Sequence, residues 1–396
     1  MALLTVETVA AYAAKQLEAL GAESPFPQGA ELTAREITGG NLNYAFCVEA
    51  KGGPSVFVKQ APDFIKFLGP EAKLHRERME LEVAAYKEWA AALGEQVSAR
   101  YLPKIYAFDT ESMTFVMEFL GSYQLLMQSL FEGVANEAVA AGMGEVMGAM
   151  HAKTHCTKVP AGEAERLTKA FQNSELRGVQ LQYVFTKAFQ EAKAAEDLRK
   201  DESFMAELDG LKAKYRGENA ADLALAHGDL HPGSVMADSS VGAVKIIDPE
   251  FAIYGPPGID VGSLLSGYTL ACIYLAMTGS DRAGLAISAA SKVWTAYVAA
   301  MEANAISADI IAGIGEDAVG FASCEVARTA LGFAGARGLP VEDEALKAEA
   351  DKQALALAYR CIMGRKGKGV PLLISELEKL GKNKSKAAPA SQCALL

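Results

Sequence analysis

The chain predicts a two-lobe α+β protein, with a small antiparallel sheet first and a larger, mostly helical part after it. Three observations predict this. Between Ala30 and Gln60, apolar and polar residues alternate in short runs broken by glycines, the period of half-buried strands. From Glu137 onward, apolar residues recur at helical spacing over most of the remaining length. Between Leu223 and Gly262, two short apolar approaches each deliver acids into a loop: His227-Gly228-Asp229, then Asp248-Pro249-Glu250.

At 396 residues and 41.9 kDa, the chain is long enough for two lobes with a core each. The division expected is 1–120, a sheet lobe; 121–369, a helical lobe; and 370–396, a flexible tail that opens with a short helix, PLLISELEKL. Half of the residues are hydrophobic (51%) and 22% are charged, which excludes wholesale disorder. A formal net charge of −11 argues against a nucleic-acid partner. The six cysteines show no CxxC or CxxH spacing, so they read as reduced thiols and not as a zinc site or disulfide framework.

The N-terminal twenty residues form an amphipathic helix and lack the basic leader and apolar run of a signal peptide. Strands follow as ELTAREIT, YAFCVEA and VFVKQ, with Gly39-Gly40-Asn41-Leu42-Asn43 between the first two. Glycine and asparagine tolerate tight backbone there, so amides of this loop can approach phosphates. Lys59 ends the third strand. The stretch Glu71–Leu93 then turns helical and charged, and Glu82 sits on its apolar face; Glu77 and Glu80 are its competitors for pairing with Lys59. Two further strands end in Met117-Glu118-Phe119, where the lobes should connect.

Beyond the connector the chain is helical: Glu137–His155, two or three charged helices over 163–216, and four more from about Asp260 to Met363. His151 and His155 stand four apart on one helical face with no third metal ligand near them, which favours packing. The apolar run Gly262–Gly279 follows directly on an acidic loop and is broken by Gly, Ser and Thr, so it reads as a buried core helix.

The acids at 229, 248 and 250 are what phosphoryl transfer asks for: one carboxylate to take the proton of the attacking hydroxyl, others to hold the cation that bridges the nucleotide phosphates. Asp229 is the expected base; Asp248 and Glu250 are the expected metal ligands, pointing the same way if the segment is extended, with Pro249 stiffening it. HGDLHPGSVM followed by IIDPEFAIYGPPGIDVGSLL resembles the methylthioribose kinases, a kinase-like branch related to the aminoglycoside and choline kinases.

That resemblance implies a protein-kinase-like fold, ATP and Mg2+, a methylthioribose acceptor phosphorylated at its anomeric hydroxyl in methionine salvage, a cytoplasmic location and a homodimer. It places nucleotide contacts at Gly40, Asn41, Asn43, Lys59, Glu82 and the backbone of Met117, Glu118 and Phe119. It also puts Ser234 where related kinases carry a metal-binding asparagine. Arg78 and Glu82 match the family's RxxxE, and Asp260 is implied to brace the catalytic loop.

The family's pair of adjacent arginines appears here as Arg328 followed by Thr329. Arg328 is therefore the expected acceptor-side charge, with Arg337 a possible substitute for the second. Thr329 keeps another small hydroxylated acceptor open, and a non-catalytic nucleotide-binding scaffold is the reading from a different class.

The chain ends in Cys393-Ala394-Leu395-Leu396, the form of a prenylation box, behind Lys379, Lys382, Lys384 and Lys386. Membrane attachment is expected only if Cys393 is prenylated; the other reading is an ordinary tail rich in Lys, Ala, Ser and Pro.

Overall fold

Alternation along the chain builds the first of two units in the computed structural model, Met1–Tyr123 with Lys245–Glu250. Helical periodicity builds the second, Gln124–Val244 with Phe251–Leu396. The structure describes residues 3–40, 42–217 and 222–385. Asn41 and the box Cys393–Leu396 lie outside the described residues. The division by contacts falls after Tyr123, three residues past the boundary expected at Leu120, and assigns the segment 245–250 to the first unit.

Five strands form one antiparallel sheet: β1 (Leu32–Glu36), β2 (Tyr44–Ala50), β3 (Ser55–Gln60), β4 (Ile105–Asp109) and β5 (Thr114–Glu118), in the order β1-β2-β3-β5-β4. Val56 and Val58 of β3 pack with Phe46, Val48 and Val116 against Val9, Ala13 and Leu17 of the helix Val6–Glu18. The two-residue period turns Phe57 and Lys59 to the opposite face. There Met79 and Val83 of the helix Arg78–Leu93 join Phe115 and Met117. Lys59 is thus aimed at that helix by strand geometry alone.

The helix expected over Glu71–Leu93 begins only at Arg78. Before it, Phe64 and Lys73 make an antiparallel bridge around Gly69, whose φ of +84° favours glycine. The Arg78 guanidinium donates to the carbonyls of Pro62 at 3.0 Å and His75 at 2.7 Å, which holds the incoming loop to the first helical turn.

In the second unit, the expected charged helices over 163–216 are five shorter ones: Ala161–Ala170, Ser174–Phe185, Lys187–Glu191, Glu196–Lys200 and Glu202–Tyr215. The later helices are Gly258–Met277, Ala283–Ala303, Ala308–Ala330 and Glu344–Gly364, each within a few residues of expectation. Gly258–Met277 is long and apolar enough to span a bilayer, yet 94% of its most apolar window is buried in protein, as a core helix requires.

The short helix that PLLISELEKL implies after Gly369 is present and runs longer, as Val370–Ser385. Val370, Leu373 and Leu377 are buried at three- and four-residue spacing, and that apolar stripe fixes the segment. Cys47, Cys272, Cys324 and Cys361 are free thiols.

Candidate active site

The first unit concentrates charge around Lys59. Its ammonium donates to Glu82 Oε2 at 2.7 Å and also to Asp248 Oδ1. Of the three competing acids, Glu82 is therefore the partner: it is buried, one turn from Arg78 and Tyr86 on the inner helical face. Asp248 adopts φ +65°, a left-handed conformation that aspartate tolerates better than most residues, and its N–H donates to Tyr86 Oη at 3.1 Å.

The extended geometry expected for 248–250 is not what forms. Pro249–Phe251 is a turn of 3-10 helix, so the two carboxylates converge by a twist at Asp248 and not by strand alternation. Glu250 is buried; it accepts from Asn43 Nδ2 at 2.8 Å and lies 3.7 Å from Arg78 Nε. Arg78 Nη2 in turn donates to Asn43 Oδ1 at 2.9 Å and to the Leu42 carbonyl at 3.2 Å. Asn43 lies in the loop expected to cover the phosphates, and its side chain ties that loop to Glu250.

One carboxylate oxygen each from Glu82, Asp248 and Glu250 lie within 4.8 Å of one another. Burial works against the Lys59 charge, but Asp248, Glu82 and Glu250 outweigh it and hold the ammonium well above its ordinary range. Burial pushes Glu82 up to about 8, against the pull of Lys59, and raises Glu250 in the same way. Glu82, Asp248 and Glu250 thus gather hard oxygen donors around one point. That donor set fits a divalent cation of the Mg2+ type.

In the second unit, strand Ala224–Ala226 pairs with Ile253–Gly255, Ile253 opposite Ala226, and delivers His227-Gly228-Asp229. Asp260 braces this loop: its carboxylate accepts from the N–H of His227 at 2.7 Å and of Gly228 at 2.9 Å. His151 Nε2 meets the same carboxylate at 3.0 Å and its Nδ1 meets Tyr297 Oη at 3.1 Å, a packed role and not a metal one. Gly267 of the helix Gly258–Met277 leaves room for Pro232; a Cβ there would come within 2.2 Å of the proline ring.

Gly228 has φ +85°, and a Cβ on it would lie 2.0 Å from the Phe251 carbonyl oxygen. Gly228→Ala is therefore expected to cost at least about 3 kcal/mol, through backbone strain together with a backbone clash. Urea unfolding measures it, and a loss under about 1 kcal/mol would show that the loop can relax.

Asp229 sits among cations. Arg337 Nη1 donates to its Oδ1 at 3.4 Å, and His231 Nε2 lies 3.6 Å from Oδ2. Burial pushes the carboxyl up, but the guanidinium groups of Arg337 and Arg328 hold it well below the usual range, so it stays ionised. Burial, then Arg337, drive His231 down to about 3. The neutral ring accepts the Gly233 N–H at Nδ1, 2.9 Å, which leaves the proton on Nε2, facing Asp229. Ser234 donates its hydroxyl proton to the Asp229 carbonyl at 3.0 Å.

Arg328 is buried with Glu325 at 2.7 Å, and Thr329 donates to its own helix at the Glu325 carbonyl, 2.9 Å. At the connector, the Glu118 N–H is taken by the Lys104 carbonyl at 2.8 Å, Met117 is buried, and Phe119 lies under the Arg35 guanidinium. Gly40 is exposed in the loop before β2.

Sequence reasoning missed Lys245, Tyr86 and His231. Lys245 is buried and joins Glu118 at 2.9 Å and the Ala99 and Leu102 carbonyls at 3.1 Å. A lysine between β-branched residues of an apolar strand was the signal for it; His231, two residues after Asp229, was the plainer one.

A model of the phosphotransferase enzyme family matches residues 33–292. The methylthioribose kinase of Geobacillus thermodenitrificans is 32% identical over 369 residues, covering 86% of this chain and 89% of that protein. That of Bacillus velezensis is 32% identical over 330 residues, covering 78% and 80%. Among solved structures, an aminoglycoside phosphotransferase from Alicyclobacillus acidocaldarius is 11% identical with a TM-score of 0.45, covering 92% of this chain and 95% of that one. Matched in this way along most of its length, the chain belongs to the phosphotransferase enzyme family and, within it, to the methylthioribose kinase family.

Proposed function

We propose that this chain transfers the γ-phosphoryl group of ATP to the anomeric hydroxyl of S-methyl-5-thioribose, giving S-methyl-5-thioribose 1-phosphate in methionine salvage. The observation that carries the reading is the convergence of Lys59, Glu82, Asp248 and Glu250 in one charge cluster. The names of the relatives at about one-third identity support the acceptor.

In this reading Lys59, oriented by Glu82, steadies the nucleotide phosphates, and the loop at Gly40 and Asn41 covers them. Asp248 and Glu250 would hold Mg2+, which neutralises charge on the phosphate oxygens when bound. Asn43 and Arg78 keep Glu250 aimed. The connector backbone around Met117–Phe119 takes the adenine, with the Glu118 amide already held by the Lys104 carbonyl. Asp229, kept ionised and braced through Asp260 and Ser234, takes the hydroxyl proton. Arg328 adds positive charge on the acceptor side. The protein works in the cytoplasm as a homodimer.

A second acceptor remains open on one observation: Thr329 stands where the family has its second arginine, and its hydroxyl is spent inside its own helix. ADP release with Mg-ATP and methylthioribose, beside ribose, choline and an aminoglycoside, tests both. Methylthioribose-dependent release is the expected result; release with another acceptor alone would overturn the substrate and keep the chemistry. Nucleotide binding with no release on any acceptor would point to a scaffold.

A further inference from the structure

Arg328 can act only from where it stands. The residue is 4% exposed, its Nε donates to Glu325 at 2.7 Å and its Nη1 reaches the Phe333 carbonyl at 3.5 Å. Moving it would strand a buried carboxylate, at a steep cost.

Arg337 is placed differently. It ends the 3-10 turn Gly335–Arg337, which follows Gly332 at φ +84° and opens with Gly335 at φ +56°. A third of its side chain (33%) is exposed, and its bond to Asp229 Oδ1, at 3.4 Å, is at the long end for an N–H donor and is readily exchanged. It is also the guanidinium that pairs with the expected base.

We propose that Arg337 is the moving acceptor-side guanidinium of this enzyme: it rests on Asp229 and shifts onto the oxygens of the phosphoryl group while that group is transferred. The inference rests on the phosphoryl-transfer reading above. In the step, the acceptor oxygen forms its bond to the γ-phosphorus. The bond from that phosphorus to the β,γ-bridging oxygen breaks, ADP keeps the electron pair, and the hydroxyl proton passes to Asp229.

Negative charge spread over the transferring oxygens suits a two-pronged guanidinium, which a hydroxyl at Thr329 cannot replace. Departure of Arg337 has a second effect. Burial favours protonation of Asp229, and Arg337 leads the charges that oppose it, so its shift leaves the carboxylate a better proton acceptor as the proton arrives. His231, being neutral, cannot do the same work.

The test compares wild type, Arg337→Ala and Arg337→Lys by ADP release from Mg-ATP, with methylthioribose and separately with water as the only acceptor. Arg337→Ala is expected to lower kcat about 10²- to 10³-fold with both acceptors and to leave the KM for ATP unchanged. Arg337→Lys should fall between, since it keeps charge without the fork, and added guanidinium should restore part of the alanine variant's rate. Wild-type kcat in Arg337→Ala with both acceptors would overturn the inference.

Failure of methylthioribose to stimulate the wild type would overturn the acceptor and not Arg337, which the water reaction then decides alone. Should the alanine variant not fold, Arg337→Lys decides: a loss of about tenfold supports the role, and equality with wild type overturns it.

Discussion

Asp229→Asn is expected to lower kcat about 10³-fold while the Kd for Mg-ATP stays within about threefold of wild type. Asparagine keeps the shape and an acceptor oxygen for Arg337 but cannot take the proton of the attacking hydroxyl. Binding should survive because the expected nucleotide contacts, Lys59 with its acids, belong to the first unit. Single-turnover ADP formation and nucleotide titration measure the two halves separately; near-wild-type turnover would remove Asp229 from its role.

The same variant carries a pH signature of opposite origin to catalysis. The native Asp229 is held below its unfolded value, about 4. It therefore contributes stability that is present above that value and is lost as the pH falls through the lower native one. Asp229→Asn should melt below wild type at pH 7, with the gap closing in acid.

Asp248→Asn is expected to lower kcat by about 10²- to 10³-fold and to abolish most of the rise in Tm that Mg2+ with ATP gives the wild type. Asp248 is the more accessible of the two expected metal ligands; its side chain is 46% exposed, whereas Glu250 is buried among Asn43 and Arg78. It also faces Lys59, so the amide removes a charge from the cation's donor set and from the lysine at once. A full Mg2+-dependent rise in Tm in this variant would shift the metal to Glu82 and Glu250.

What could be read from the sequence was periodic or contiguous. Alternation in VFVKQ turned Lys59 to one face, helical spacing put Glu82 on the inner side of its helix, and the tripeptide at 227–229 announced its loop; the structure joins the first two at 2.7 Å. What could not be read depends on single backbone angles and on partners far apart in sequence. Nothing in Asp-Pro-Glu specifies φ +65° at Asp248, which replaced the extended reading with a turn. Arg78 looked like a motif residue, but its bonds to Leu42 and Asn43 span 36 and 35 positions. Arg337 meets Asp229 across 108 positions, so a spacing argument from Arg328 could not locate it.

The assignment of Lys245–Glu250 to the first unit has a consequence for biosynthesis. Lys59 finds Asp248 across 189 residues and Asn43 finds Glu250 across 207, so the sheet unit emerges from the ribosome without two of its three clustered acids. At ordinary translation speeds, the delay between the appearance of Tyr123 and of Glu250 is on the order of ten seconds. During it, Lys59 has Glu82 alone among its carboxylate neighbours. A fragment ending at Tyr123 would be permanently in that condition, and so could not be passed between genes as a self-contained nucleotide module.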